Sequence, residues 1–169
     1  EKQGPRIFVN VPDAKRIAVI DRSSRSVTAT WPMETFKANF PMALDEANHR
    51  LFIGCRQPAR LVVLDTSTGK SVADLAISGD IDDLFYDAKR KRLYLSCGEG
   101  FIDTIEQTTP DAYARISRQP TASGSRTCFF SPDADRLYLA VPSRSAQPAE
   151  IRVISRDLWE GFDRRNRGF

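Results

Sequence analysis

One histidine in 169 residues is the sharpest shortage in this sequence. It excludes any metal centre built on several histidines. A Ser-His-Asp or Cys-His arrangement would have to form around His49 itself, with the nucleophile beside it. His49 ends the polar stretch Ala47-Asn48-His49 between two apolar runs, so it reads as an exposed turn residue. Cysteine is scarce as well. Cys55, Cys97 and Cys128 make an odd set without a C-x-x-C pair, which argues against both a disulfide framework and a zinc site, and they are read as small buried hydrophobes. No run approaches the ~18 apolar residues of a membrane helix, so no membrane insertion is expected. The charge excess is small, +3 from 25 basic and 22 acidic residues, too little to argue for nucleic acid or a membrane surface. Basic residues are scattered, except for Arg164, Arg165 and Arg167 near the end. Long segments of helical period are missing too, and only Asp157 to Phe169 could form a short terminal helix. The sequence opens Glu1-Lys2-Gln3-Gly4-Pro5, without an initiator Met or an apolar signal segment, as expected of a processed, trimmed or incomplete chain.

What is present is repetition. Arg50-Leu51-Phe52-Ile53-Gly54-Cys55 recurs as Arg92-Leu93-Tyr94-Leu95-Ser96-Cys97, as Arg136-Leu137-Tyr138-Leu139-Ala140-Val141, and at the start as Arg6-Ile7-Phe8-Val9-Asn10-Val11. The four arginines are spaced 44, 42 and 44 residues apart. A second apolar run follows each, as in Arg16 to Asp21 and Arg60 to Asp65, with weaker copies at Phe101 to Glu106 and Ile151 to Ser155. A third is polar and alternating, as in Ser26 to Trp31 and Ser71 to Leu75. A fourth precedes the arginine: Phe40 to Asp45, Asp82 to Asp87 and Arg126 to Ser131. Runs of five or six residues rich in Val, Ile, Leu, Phe and Tyr are strands. Turn chemistry divides them, as in Asp65-Thr66-Ser67-Thr68-Gly69-Lys70 and Ser131-Pro132-Asp133-Ala134-Asp135.

A sandwich strand has one wet face and alternates. Leu61-Val62-Val63-Leu64 is continuously apolar, so both faces must be covered. Sheets stacked radially between two neighbours do this, and a period of about 43 residues with four strands matches a β-propeller blade. With strands A to D running from the axis outward, the chain opens on B, C and D, continues through two full blades and closes on A, B and C. The expected fold is all-β: a partial propeller of fourteen antiparallel strands, about three and a half blades, over residues 1–155 (blade parts 6–31, 39–77, 82–118 and 126–155), followed by a polar basic tail over 156–169. Propellers close with four to eight blades, so the expectation is a fragment of a roughly seven-bladed parent whose end blades expose faces prone to self-association.

The strings Phe130-Ser131-Pro132-Asp133-Ala134-Asp135-Arg136-Leu137-Tyr138-Leu139-Ala140 and Leu61 to Val72 resemble the YVTN repeat of YncE-like β-propellers of bacteria and archaea. The resemblance spans about residues 6 to 155. It implies a propeller of typically seven blades, exported to the periplasm or cell surface in a prokaryote. It implies no particular activity.

Propeller ligands usually bind at one mouth of the central channel, where the A strands start. Phe40, Asp82 and Arg126 align there, preceded by Asn39, Ile81 and Ser125, and before those by Ala38, Asp80 and Gly124. A degenerate repeat should keep these alike, yet they differ in charge from blade to blade. Asn39, Phe40, Asp80, Asp82, Ser125 and Arg126 are therefore the candidate ligand-binding residues. The competing reading is that Asp82 and Arg126 pair with each other or are merely solvated. Asp80, Asp82, Asp83 and Asp87 are rich in oxygen ligands but lack the spacing of a calcium loop, and strand alternation sends Asp82 and Asp83 to opposite faces. No metal site is expected. Gly98-Glu99-Gly100 lacks a third glycine and a following helix, so it is a B–C hairpin turn rather than a phosphate loop. Arg56-Gln57-Pro58-Ala59 fills that turn one blade earlier, and Pro142 to Glu150 is its long, polar, mobile counterpart. Trp31 ends an outer strand and packs at the surface; Trp159 lies in the tail.

No catalytic constellation emerges and no cofactor is implied. The expected role is a non-catalytic binding or scaffold module for a ligand or protein at the channel mouth. The alternative is part of a lactonase-like or quinoprotein-like propeller whose other site residues lie in further blades. Single-stranded nucleic acid needs a basic groove with exposed aromatics, for which Arg126 and Phe40 alone are thin support.

Overall fold

In the computed structural model, which describes residues 1–155, the chain forms fourteen strands and, among those residues, no helix. The strands are β1 (Arg6–Val11), β2 (Arg16–Asp21), β3 (Ser26–Pro32), β4 (Lys37–Asp45), β5 (Arg50–Gln57), β6 (Ala59–Asp65), β7 (Ser71–Ala76), β8 (Ile81–Asp87), β9 (Arg92–Cys97), β10 (Phe101–Thr109), β11 (Ala112–Pro120), β12 (Thr127–Ser131), β13 (Arg136–Val141) and β14 (Glu150–Ser155). They form four antiparallel meander sheets of three, four, four and three strands, ordered β1-β2-β3, β4-β5-β6-β7, β8-β9-β10-β11 and β12-β13-β14. The count and grouping are those of the repeat. The tail, with its expected helix, Trp159 and clustered arginines, lies outside the described residues.

The sheets pack face to face, as continuous apolar strands require. Side chains of β5 and β6 alternate between two cores. Leu51, Ile53, Val62 and Leu64 face the first sheet, meeting Ile17, Phe8 and Trp31. Phe52, Leu61 and Val63 face the third, meeting Leu84, Leu93, Leu95 and Ile105. The third sheet repeats this with Tyr94 and Ile102 against Cys128, Phe130, Leu137 and Leu139 of the fourth. Burying a side chain such as Phe52 contributes about 2–3 kcal/mol. The outermost strands β3, β7 and β11 are mostly exposed and polar.

A buried polar network links the second and third sheets. The Tyr86 hydroxyl lies 2.6 Å from Gln107 Oε1 and 3.1 Å from Asp45 Oδ2, and Gln107 Nε2 donates to the same Asp45 oxygen. Burial pushes the Tyr113 phenol, which shares this network, up to about 12. The repeat's arginine links the sheets at the same rim. Arg6 donates to the backbone carbonyl and Oγ1 of Thr66 in the second sheet's C–D turn. Arg50 pairs with Asp65 of its own sheet and Asp111 in the third sheet's C–D turn, both at 2.7 Å.

Candidate functional site

An antiparallel meander puts the start of each A strand and the B–C turn of the same sheet at one rim, and the A–B turns at the other. His49 lies in an A–B turn, exposed, away from the A-strand starts. At those starts, Ala38, Asp80 and Gly124 share one backbone conformation, left-handed, with φ of 53°, 58° and 82°. The rim contour is thus common to the sheets, and the side chains on it differ.

Arg56, at the end of β5, organises this rim. Its guanidinium crosses to the third sheet, 2.6 Å from Asp82 Oδ1 and 3.2 Å from Asp80 Oδ1, and its Nε donates to the Ile81 carbonyl at 2.7 Å. It also sits 4.6 Å from the centre of the Phe40 ring. From the fourth sheet, Arg126 reaches Asp80 at 2.9 Å and Asp82 at 3.8 Å. Two aspartates of one sheet are therefore held between arginines of its two neighbours. Asp82 and Arg126 do pair, within this four-membered network. Phe40 and Arg126 are each 47% exposed, so the network opens to solvent, where each such ion pair is worth about 0.2–1 kcal/mol.

Of the six sequence candidates, the structure brings Phe40, Asp80, Asp82 and Arg126 together and places Asn39 and Ser125 behind them, wholly buried. Asn39 Nδ2 donates to Asn10 Oδ1 at 3.0 Å, and Asn10 Nδ2 donates to the Phe40 carbonyl at 2.8 Å. Asn39 Oδ1 and Ser125 Oγ have no hydrogen-bond partner among the described residues. Asp83 points the opposite way from Asp82, as alternation requires, and accepts the Cys128 N–H at 2.8 Å. Burial raises its carboxyl above the ordinary value, the Cys128 N–H opposes this, and the neighbouring Asp82 charge adds to it.

Gly98-Glu99-Gly100 is a hairpin turn between β9 and β10. A Cβ on Gly98 would lie 2.1 Å from the Asp80 carboxylate, so the glycine gives Asp80 its place. Glu99 accepts the Gly79 N–H at 2.6 Å and pairs with Arg118 at 3.0 Å, while Arg118 covers the Phe101 ring at 3.5 Å. The polar segment Pro142 to Glu150 carries a two-residue bridge, Arg144 to Gln147, with reciprocal backbone hydrogen bonds of 2.9 and 2.8 Å. Its Arg144 guanidinium lies against Gly124, two residues before Arg126 in the chain. The sequence reading missed Arg56 and Arg144. The usable signal was positional, because Arg56 lies at the end of its B strand and Arg144 in the B–C connection, and these share the rim of the A-strand starts.

Open concavities of about 470 and 600 Å³ lie at the opposite rim, lined by Glu1, Glu46 and Ala47 among others. Lys2 and Tyr86 line the first and His49 the second, while the Glu46 carboxylate accepts the N–H groups of Lys2, Gln3 and Gly4. The three thiols are buried beneath the rim of the A-strand starts, with Cys55 in register with Asn39 and Cys97 with Ile81; burial pushes Cys55 and Cys128 up to about 12 and raises Cys97 as well. Among the described residues no helix is long and apolar enough to cross a membrane, and no group of His, Cys, Asp and Glu side chains has the arrangement of a metal site.

No protein-family model matches the chain. It is similar to the uncharacterized protein YncE of Salmonella typhimurium, 22% identical over 152 residues, and to that of Salmonella typhi, 22% over 153 residues. The chain is covered to 89% in both matches and spans 42% of each relative's length. Its fold is similar to a chain of Kuenenia stuttgartiensis hydrazine synthase, with a TM-score of 0.79 at 16% identity, covering 92% of this chain and 44% of that one. A chain of the mitotic checkpoint complex matches with a TM-score of 0.71 at 14% identity, covering 90% and 46%. At these identities the structural likeness establishes the β-propeller fold, and the YncE resemblance is distant.

Proposed function

We propose that this chain is a non-catalytic recognition module that binds a ligand or protein at the rim formed by Phe40, Arg56, Asp80, Asp82 and Arg126. The observation that carries the reading is the four-charge network on three successive sheets, open to solvent, with an exposed aromatic ring beside it. Its internal pairs are individually weak. A partner bringing its own carboxylate or cation exchanges with them at small net cost, and Phe40 supplies apolar contact area. The single histidine lies at the other rim and the thiols are buried and protonated, so neither stands beside a group it could activate. The location that goes with this reading is periplasmic or secreted, in line with the resemblance to bacterial YncE.

Selection of peptides from a random displayed library, together with a thermal-shift screen of small molecules, tests the reading. Ligands selected on the unmodified protein should bind the Phe40→Ala/Arg126→Ala variant at least tenfold more weakly and the His49→Ala variant unchanged. Ligands indifferent to the first variant, or an absence of ligands in both screens, would reject it.

A further inference from the structure

The two end sheets carry the two halves of one interface. At each interior boundary, one sheet presents an aromatic residue two positions after the repeat's arginine and two residues from its C strand. The next sheet presents the residues one and three positions after its own arginine. At the boundary between the second and third sheets these are Phe52, Leu61 and Val63 against Leu93 and Leu95, all buried. Between the third and fourth they are Tyr94 and Ile102 against Leu137 and Leu139, with buried Thr104 aligned to Val63.

The fourth sheet repeats the first half of this pattern, and no strand among the described residues packs against it. Strand register aligns Phe129 with Tyr138 and Tyr138 with Val153, and Ala140 with Ile151. Ile151 and Val153 thus occupy the positions of Leu61 and Val63, yet Phe129, Ile151 and Val153 are each more than half exposed. The first sheet repeats the second half. Ile7 and Val9 occupy the positions of Leu51 and Ile53, which are 1% and 0% exposed, but are themselves 43% and 36% exposed.

The arginine adds direction. Arg6 and Arg50 both reach the C–D turn of the following sheet. Arg92 is 3.9 Å from Glu106 of its own sheet, and the residues after β14 lie outside those described. Arg136 is exposed, and its side chain has no hydrogen bond or ion pair among the described residues. On the first sheet the residue equivalent to Thr66 is Arg22, whose backbone carbonyl is an acceptor whatever the side chain.

We propose that the fourth sheet of one copy of this chain docks on the first sheet of a second copy. Phe129, Tyr138, Ile151 and Val153 then cover Ile7 and Val9, and Arg136 donates to the Arg22 carbonyl. The contact is heterologous: two different surfaces meet, and such contacts close into rings or extend.

Sedimentation velocity of the full chain from 1 to 100 μM tests this, the monomer being 19.0 kDa. The expected species has twice that mass. Val153→Glu and Val9→Glu, both at exposed positions, should each be monomeric while keeping the wild-type circular dichroism and melting behaviour. An equimolar mixture of the two should regain a dimer, because each retains the half the other lacks. Arg136→Ala, a milder change, should weaken association about tenfold. A wild-type monomer at 100 μM, a Val9→Glu variant that still dimerises, or a mixture that stays monomeric would each overturn the proposal.

Discussion

Arg56 and Asp82 belong to different sheets, and their charged groups meet at 2.6 Å across the gap between them. The same guanidinium holds the Ile81 carbonyl and lies beside Phe40, so one side chain ties the second sheet to the third at the rim. Arg56→Ala should cost about 1–2 kcal/mol, because it removes a charged donor from a carbonyl as well as a partly exposed pair. A double-mutant cycle with Asp82→Ala, read by urea denaturation, should give a coupling of about 0.5–1 kcal/mol. Zero coupling would mean that the pair contributes geometry alone.

Gly69 has a φ of 71°, and a Cβ there would stand 2.4 Å from the Trp31 ring of the neighbouring sheet. Gly69→Ala should therefore lower stability by about 2–4 kcal/mol, combining left-handed strain with overpacking. Chemical denaturation followed by tryptophan fluorescence measures it. An unchanged midpoint would show that the indole is not held against this turn.

The A–B turns reuse one left-handed position, occupied by His49, Lys91 and Asp135 with φ of 56°, 53° and 51°. Glycine there relieves about 1–2 kcal/mol of strain and returns about 0.5–1 kcal/mol through the flexibility of the unfolded chain. His49→Gly and Lys91→Gly should each raise the denaturation midpoint slightly. A loss of stability in both would contradict this account of the turn.

Asp83 and Asp65 respond to pH in opposite senses. The folded state holds the Asp83 carboxyl above 3.8, with burial the largest cause. Folding then favours its protonated form, and stability falls as pH rises from 3.8 through the raised value. Asp83→Asn keeps an acceptor for the Cys128 N–H, so its stability relative to wild type should grow as pH rises from 3.8 through the raised value and level off above it. At Asp65 burial opposes ionisation, but the Thr68 and Ser67 N–H groups, the Thr68 hydroxyl and Arg50 outweigh it and lower the pKa. Its contribution is present above 3.8 and lost as pH falls through the lowered value. Urea midpoints across this range check both signs.

Cys55, Cys97 and Cys128 should resist a thiol reagent at neutral pH in the folded protein and all react in denaturant, since burial disfavours each thiolate. Rapid reaction of any one in the native state would show an opening that this packing does not provide.

The strands and their grouping were legible because each copy of the repeat carries the same local chemistry. The run after Arg50 is apolar on both faces, Gly69 marks a turn, and Ser71 to Leu75 alternates as an outer strand must. Much of the rim was legible from position, since Phe40, Asp82 and Arg126 align, Asp80 lies two residues before Asp82, and the four converge in space. Arg56 was not. Its neighbours Gln57 and Pro58 speak of a turn, and its partners lie 24 and 26 residues away on another sheet. Nor did the alignment show that Asn39 and Ser125 face inward, because alternation at the ragged start of a strand depends on the bulge that separates Asn39 from Met42 in the β4–β5 register.

By itself the sequence determined, over the described residues, the strands, their grouping into four sheets and the need to cover both faces of the interior strands, because those follow from periodicity and apolar runs along the chain. Which arginine meets which aspartate, and which apolar rows are left uncovered at the two ends, was decided only in the tertiary structure. Ion pairing and burial between sheets depend on distance in space, and no local pattern of residues encodes that distance.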